Sequence, residues 1–185
     1  LKSGLNQWNA SSKVKNSNLL RPEKEIYIPI PIEFHKFSPN FFVDNILDKI
    51  NERQTIKTKN KTRKKEDKME LPEVRFTIIL PNGKEIPGLL TADNLKQFQS
   101  GGCLNNVEYG QSDLGNWLLV EVLKLKERQI VTKQWLEEKG TDSIKLWHYN
   151  NDKNRIYVDF APVGSFEKFM NGETPTEIEK NNEEL

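Results

Sequence analysis

Apolar positions recur along this chain with two different periods, and the changes of period predict its elements. Residues 25–31, Glu-Ile-Tyr-Ile-Pro-Ile-Pro, read as a first strand whose prolines confine its end to an edge or an exit. The runs 74–80 and 84–90 flank Pro81-Asn82-Gly83, and Asn-Gly supplies the positive φ angles of a tight turn, so the pair predicts a β-hairpin. Alternation returns at residues 143–149 and 155–160, two closing strands joined by an Asn/Asp/Lys turn. Between them Leu114, Trp117, Leu118, Val122 and Leu125 keep helical spacing, which predicts a helix starting at Ser112 or Asp113. Thr132 is predicted to cap a short helix through Trp135 and Leu136, ended by Gly140 in the left-handed position after the last turn. Phe34, Phe37, Phe41 and Phe42 are expected to plug one end of the core, with Trp117, Trp135 and Trp147 inside it. The sum is a β-rich α+β fold with no internal repeat.

Three stretches carry no such period. The first 24 residues are polar, with Trp8 as their lone large ring. Residues 48–71 are low in complexity, and residues 57–65 hold six bases and no acid; they read as a mobile basic insertion, solvated or acting as an arm that meets phosphates. Residues 95–111 are again polar, with Gln97, Gln99, Ser100, Gly101, Gly102, Asn105, Asn106, Tyr109 and Gln111.

Length and composition set the frame. With 185 residues, 35% hydrophobic and 30% charged, the chain suits one domain over residues 1–170 followed by an acidic, disordered tail over residues 171–185. The formal net charge of +1 hides a division, since the tail has five acids against one base and the remainder is correspondingly basic. No apolar run approaches the roughly 18 residues of a membrane span, and no secretory signal opens the chain, so a soluble cytoplasmic location is expected. The start at Leu1 suggests a piece of a longer protein. A single cysteine, Cys103, allows no internal disulfide and suggests no zinc site.

The motif search predicts no catalytic residues, no metal and no cofactor. Glu-x-Lys, common in metal-dependent nucleases, occurs at Glu66/Lys68 and Glu137/Lys139, but neither follows an apolar strand with an upstream acid. A histidine-nucleophile site of the phospholipase-D type needs His-x-Lys; His35 is followed directly by Lys36, and His148 by Tyr149-Asn150. There is no phosphate-binding loop, and Gly101-Gly102 lacks the setting of a dinucleotide site. What remains is amide-rich segments on a β scaffold. Asn and Gln donate and accept together against adenine's edge, and Lys or Arg reads guanine, although such segments are also ordinary solvent loops.

A resemblance sharpens this. Ser3-Gly4-Leu5-Asn6-Gln7-Trp8-Asn9-Ala10 and residues 25–31 resemble the start of the C-terminal specificity domain of NgoFVII-type restriction endonucleases. The likeness continues in order through Phe41-Phe42, residues 80–83, residues 114–119, Asp142-Ser143 and residues 159–165, and covers about residues 3 to 169. It implies an open seven-stranded pseudobarrel with short helices at its ends, like the plant B-three domain and the BfiI and EcoRII specificity domains. It also implies two loops, an N-arm and a C-arm, that grip double-stranded DNA in the major groove, while a separate phospholipase-D-like nuclease domain cuts.

Carried onto this chain, the N-arm lies within residues 6–18 and the C-arm within residues 97–111. The groups expected at base edges are Asn6, Gln7, Asn9, Ser11, Ser12, Lys13, Lys15 and Asn16 with Gln97, Gln99, Ser100, Asn105, Asn106 and Gln111. Those expected at the DNA backbone are Trp8, Arg21, Lys57, Lys59, Lys61, Arg63, Lys64 and Tyr109. Residues 48–71 are an insertion relative to the family pattern, and Ser11-Ser12-Lys13 stands where it has Arg. A protein-interaction module and a stand-alone nuclease are the rival readings.

Overall fold

The computed structural model describes Leu19 and residues 22–173. Residues 1–18 and 174–185, with Leu20 and Arg21, lie outside the described residues. Among the described residues the elements are β1 (Ile28–Pro29), α1 (Ile32–Phe37), α2 (Ile46–Asn60), β2 (Val74–Ile79), β3 (Glu85–Thr91), β4 (Gln97–Ser100), β5 (Gly102–Leu104) and β6 (Val107–Tyr109). Then follow α3 (Ser112–Gly115), which continues as a π-helical segment (Asn116–Val122), α4 (Lys133–Glu138), β7 (Thr141–Tyr149), β8 (Asp152–Pro162) and α5 (Ser165–Met170).

Six strands form one curled sheet, a half-barrel in the order β1-β4-β3-β2-β8-β7, and β5-β6 is a separate two-stranded ribbon. The class is α+β as expected, but the main sheet has six strands where the resemblance implied seven. All its pairings are antiparallel except β2 with β8, where Ile78 lies beside Ile156. One face of these strands is apolar, and it closes over Phe42, Ile46, Ile50, Trp117 and Leu118 from the helical side. Phe76 stacks on Phe98 at 5.2 Å, and Phe42 leans on Phe76 at 5.5 Å, so the aromatic plug is real. Phe37 is the exception at 60% exposed.

The β2-β3 hairpin forms as predicted, with one difference. Gly83 alone takes a positive φ, of 80°, while the Asn82 side chain accepts from the Lys84 amide. Strand β1 keeps only two of the seven residues expected, because the chain turns at Pro31 into α1. The largest correction concerns residues 48–71, read as a mobile loop: α2 runs to Asn60, burying Ile46, Ile50, Arg53 and Ile56 at helical spacing. Its lysines and amides obscured a stripe of only three isoleucines.

The helix predicted at residue 112 forms, but its buried face differs. Beyond Gly115 the winding widens to i→i+5, with Leu123 N–H donating to Leu118 O at 3.1 Å. That buries Leu119 and leaves Val122 42% exposed, opposite to the 3.6-residue expectation. Thr132 caps α4 by accepting the Trp135 amide, and Gly140 takes φ 84° as predicted. Trp117 is buried, and Trp135 packs against the core half-buried. Trp147 departs from the expected core role: it pairs across strands with Tyr157, the rings 4.9 Å apart, and both remain half-buried.

Candidate nucleic-acid interface

The segment 97–111, read as periodless, is two pieces of extended chain with a projecting ribbon. Its first piece, β4, fills the sheet between β1 and β3. The chain then turns at Gly101 and Gly102 into β5, and Asn105 and Asn106 make the two-residue reversal into β6 at φ 51° and 64°. Two consecutive left-handed residues between paired strands are the geometry of a type I′ hairpin, which asparagine tolerates best after glycine. The same device joins β7 to β8 at Asn150 and Asn151, with φ 48° and 59°. The signal was therefore present at residues 105–106, hidden because each flanking strand is three residues long.

Position within this ribbon separates the expected site residues. Asn105 and Asn106 are exposed at its tip, with Cys103, Val107 and Glu108 also exposed. Ser100 is a correction: at 1% exposure it faces the interior, and its hydroxyl accepts the Leu114 amide at 2.9 Å while donating toward Gly110 O at 2.8 Å and Gln111 O at 3.2 Å. It pins the base of the ribbon and presents nothing to a groove. Gln111 Nε2 donates to Gln99 Oε1 at 2.9 Å, so those two amides partner each other and sit half-buried. Tyr109, expected at the DNA backbone, packs against the core. Gln97 pairs with Pro29 and Thr91 within the sheet and is half-buried.

The ribbon leans over the outer side of β2 and β3. A β-carbon placed at Gly102 would lie 3.0 Å from the Arg75 guanidinium and 4.0 Å from Pro87. Arg75 is exposed and pairs with Glu73 at 2.8 Å. Sequence reasoning missed Arg75 and Glu108 as candidates, because both sit in segments read for other reasons.

No family model matches this chain. No curated protein matches it either.

The N-arm residues Asn6, Gln7, Trp8, Asn9, Ser11, Ser12, Lys13, Lys15, Asn16 and Arg21 lie outside the described residues. Their exit point does not. The segment at Pro22–Ile26 runs against α3, where the Lys24 carbonyl oxygen would be 1.8 Å from a β-carbon on Gly115. Glu23 accepts the Arg128 amide at 2.5 Å from the other side. Since α3 begins at Ser112, directly after Gly110-Gln111 at the foot of the ribbon, that foot and the chain at residues 22–26 lie beside one helix.

The basic cluster occupies a third position. Lys57 and Lys59 ride the last turn of α2, and Lys61, Arg63 and Lys64 lie in the loop after it, all exposed. The Asn60 side-chain amide donates to Met69 O at 2.8 Å and accepts from the Met69 N–H at 3.0 Å, which closes residues 61–68 into a loop. Lys57 is already engaged: its ammonium lies 2.6 Å from Asp93 and holds that carboxyl below its usual range. Lys59, Lys61, Arg63 and Lys64 make no salt bridge among those the described residues show.

For chemistry, Glu66 and Lys68 are exposed at a 3₁₀ turn (Lys65–Asp67) and its cap, while Glu137 and Lys139 sit at the end of α4. Among the described residues no group of three His, Cys, Asp or Glu side chains could hold a metal, and no helix is long and apolar enough to cross a membrane.

Proposed function

We propose that this chain reads double-stranded DNA sequence-specifically in the major groove and serves as the specificity domain of a type II restriction endonuclease. One arm is the β5-β6 ribbon, and the other is the polar segment of residues 6–18. The observation that carries this reading is the shared origin of the two segments. The foot of the ribbon and residues 22–26, which follow the N-terminal stretch in sequence, meet at α3, an arrangement that suits a two-armed grip. Asn105 and Asn106 offer paired donors and acceptors to adenine, and Glu108 offers an acceptor to the amino group of cytosine. Lys59, Lys61, Arg63 and Lys64 meet phosphates, which position the duplex without reading it. Hydrolysis belongs to a separate nuclease domain.

Selection from random duplexes with the full 185-residue chain tests the reading. An enriched motif is expected, bound at least about a thousandfold more tightly than unrelated DNA at equal salt. Enrichment of no motif overturns it. Magnesium-dependent cleavage of plasmid DNA by the same preparation would instead favour a stand-alone nuclease.

A further inference from the structure

The β5-β6 ribbon has two unlike faces. Its register pairs Gly102 with Tyr109, Cys103 with Glu108 and Leu104 with Val107. Side chains alternate along a strand and paired residues share a side, so Cys103 and Glu108 stand on one face and Gly102, Leu104, Val107 and Tyr109 on the other. At its root the second face is covered by the body: Tyr109 packs against the core, and a β-carbon at Gly102 would face Arg75 and Pro87. Further out that cover ends, with Leu104 half-buried and Val107 52% exposed. Residues 105–108, Asn-Asn-Val-Glu, are exposed in succession.

The charge of the ribbon restricts what it can meet. Residues 97–111 contain no Lys or Arg, and Glu108 puts a carboxylate beside the tip. Phosphates repel such a segment. On the DNA reading of this chain, which is the premise here, the ribbon is therefore left with base edges. Asn105, Asn106 and Glu108 match the donors and acceptors of those edges, whereas Val107 offers neither. Val107 and Leu104 are also far too small a patch for a protein interface, which buries about 1,000 Å² or more. The aliphatic group that base edges present in the major groove is the methyl on C5 of a pyrimidine, which thymine carries.

We infer that Val107 reads the C5-methyl group of a pyrimidine, thymine in unmodified DNA, at one position of the recognised sequence. The contact depends on the methyl alone. Uracil presents the same oxygen acceptor as thymine without the methyl, and 5-methylcytosine presents the methyl beside a different polar edge. Burying one methyl group against the Val107 side chain is worth about fourfold in affinity.

Selection from unmodified random duplexes with the full 185-residue chain comes first. Each thymine of the enriched sequence is then replaced by uracil, and in a second series each cytosine by 5-methylcytosine. Wild type is expected to lose about fourfold in affinity at one thymine, and Val107→Ala to bind the thymine and uracil duplexes equally. Val107→Thr keeps the branched shape that suits a strand, so it carries the comparison if Val107→Ala fails to fold, and it should narrow the difference. A gain of about fourfold at one 5-methylcytosine, abolished in Val107→Ala and with no loss at any uracil, would support the methyl contact and assign it to modified cytosine. An enriched sequence at which neither replacement changes affinity, or a uracil penalty that persists undiminished in both variants, overturns the inference and leaves the DNA reading standing. Enrichment of no sequence overturns the DNA reading itself, and the inference with it.

Discussion

The backbone of Lys24 occupies the space where any side chain at position 115 would begin. A β-carbon on Gly115 falls 1.8 Å from the Lys24 carbonyl oxygen and 2.7 Å from its carbon. The neighbour is backbone, so it cannot swing aside as a side chain would. Gly115→Ala should therefore displace the segment at residues 22–26 or cost about 1–3 kcal/mol by overpacking. Urea unfolding measures the second outcome. If the N-terminal segment is a DNA arm, the same variant loses affinity by more than its stability change explains.

Ser100 offers a cleaner probe of the ribbon's foot. Its hydroxyl is the partner of the buried Leu114 amide, so Ser100→Ala strands that donor and should cost about 1–3 kcal/mol. Amide exchange would locate the effect at residues 110–114. A loss below a few tenths of a kcal/mol would mean that water takes over the bond.

The tip of the ribbon separates turn chemistry from base reading. Asn106 holds φ 64°, a conformation glycine adopts without strain, so Asn106→Gly should leave stability within about 0.5 kcal/mol or raise it. The amide is lost all the same. If that amide reads a base, affinity for the selected duplex falls by about 1–3 kcal/mol while non-specific binding is unchanged. Charge removal at Lys59, Lys61, Arg63 and Lys64 should do the reverse, weakening every sequence and reducing the salt slope by about one for each phosphate that is no longer neutralised.

The elements legible from sequence were those with enough repeats to show a period. Both long hairpins, the Thr132 cap and the Gly140 stop emerged from it, because each depends on local backbone chemistry. What escaped was decided elsewhere. Helix α2 shows only Ile46, Ile50 and Ile56 to its core, and Arg53 completes the stripe by donating to Pro72 O at 2.5 Å, a bond between residues 19 apart. The π winding after Gly115 accompanies the burial of adjacent Leu118 and Leu119, which no 3.6-residue period in the sequence records. In residues 97–111, composition marked a polar stretch but not the direction of each side chain. Ser100 and Asn105 are both polar, yet strand alternation buries the first and the hairpin tip exposes the second.

Backbone strain at the approach to β4 gives a stability prediction with the opposite sign. Ala92 has φ 64° and ψ −175°, a region that only glycine occupies comfortably, and Leu95 follows at φ 51°. Ala92→Gly should relieve strain worth about 1–3 kcal/mol against an entropic cost of about 0.5–1 kcal/mol, for a net gain of about 1 kcal/mol. A lower urea midpoint for this variant would show that the Ala92 methyl is held by contacts stronger than the strain.

His35 makes the fold sensitive to acid. Its ring is fully buried between Phe34 and Phe42, Nε2 faces the Leu95 carbonyl at 3.2 Å, and Nδ1 has no partner. Burial holds the imidazole below its ordinary value near 6.5, outweighing the Leu95 contact, which acts the other way. The unfolded chain therefore binds this proton at a higher pH than the folded one. Stability from the neutral ring is complete above about pH 6.5 and is lost as pH falls toward the folded value, with a slope of at most about 1.4 kcal/mol per pH unit for one proton. Urea midpoints from about pH 8 to about pH 5 should fall for the wild type, and the fall should be shallower in His35→Gln, which keeps a donor for Leu95 but takes up no proton. Equal slopes in the two proteins would move the acid sensitivity to a group other than His35.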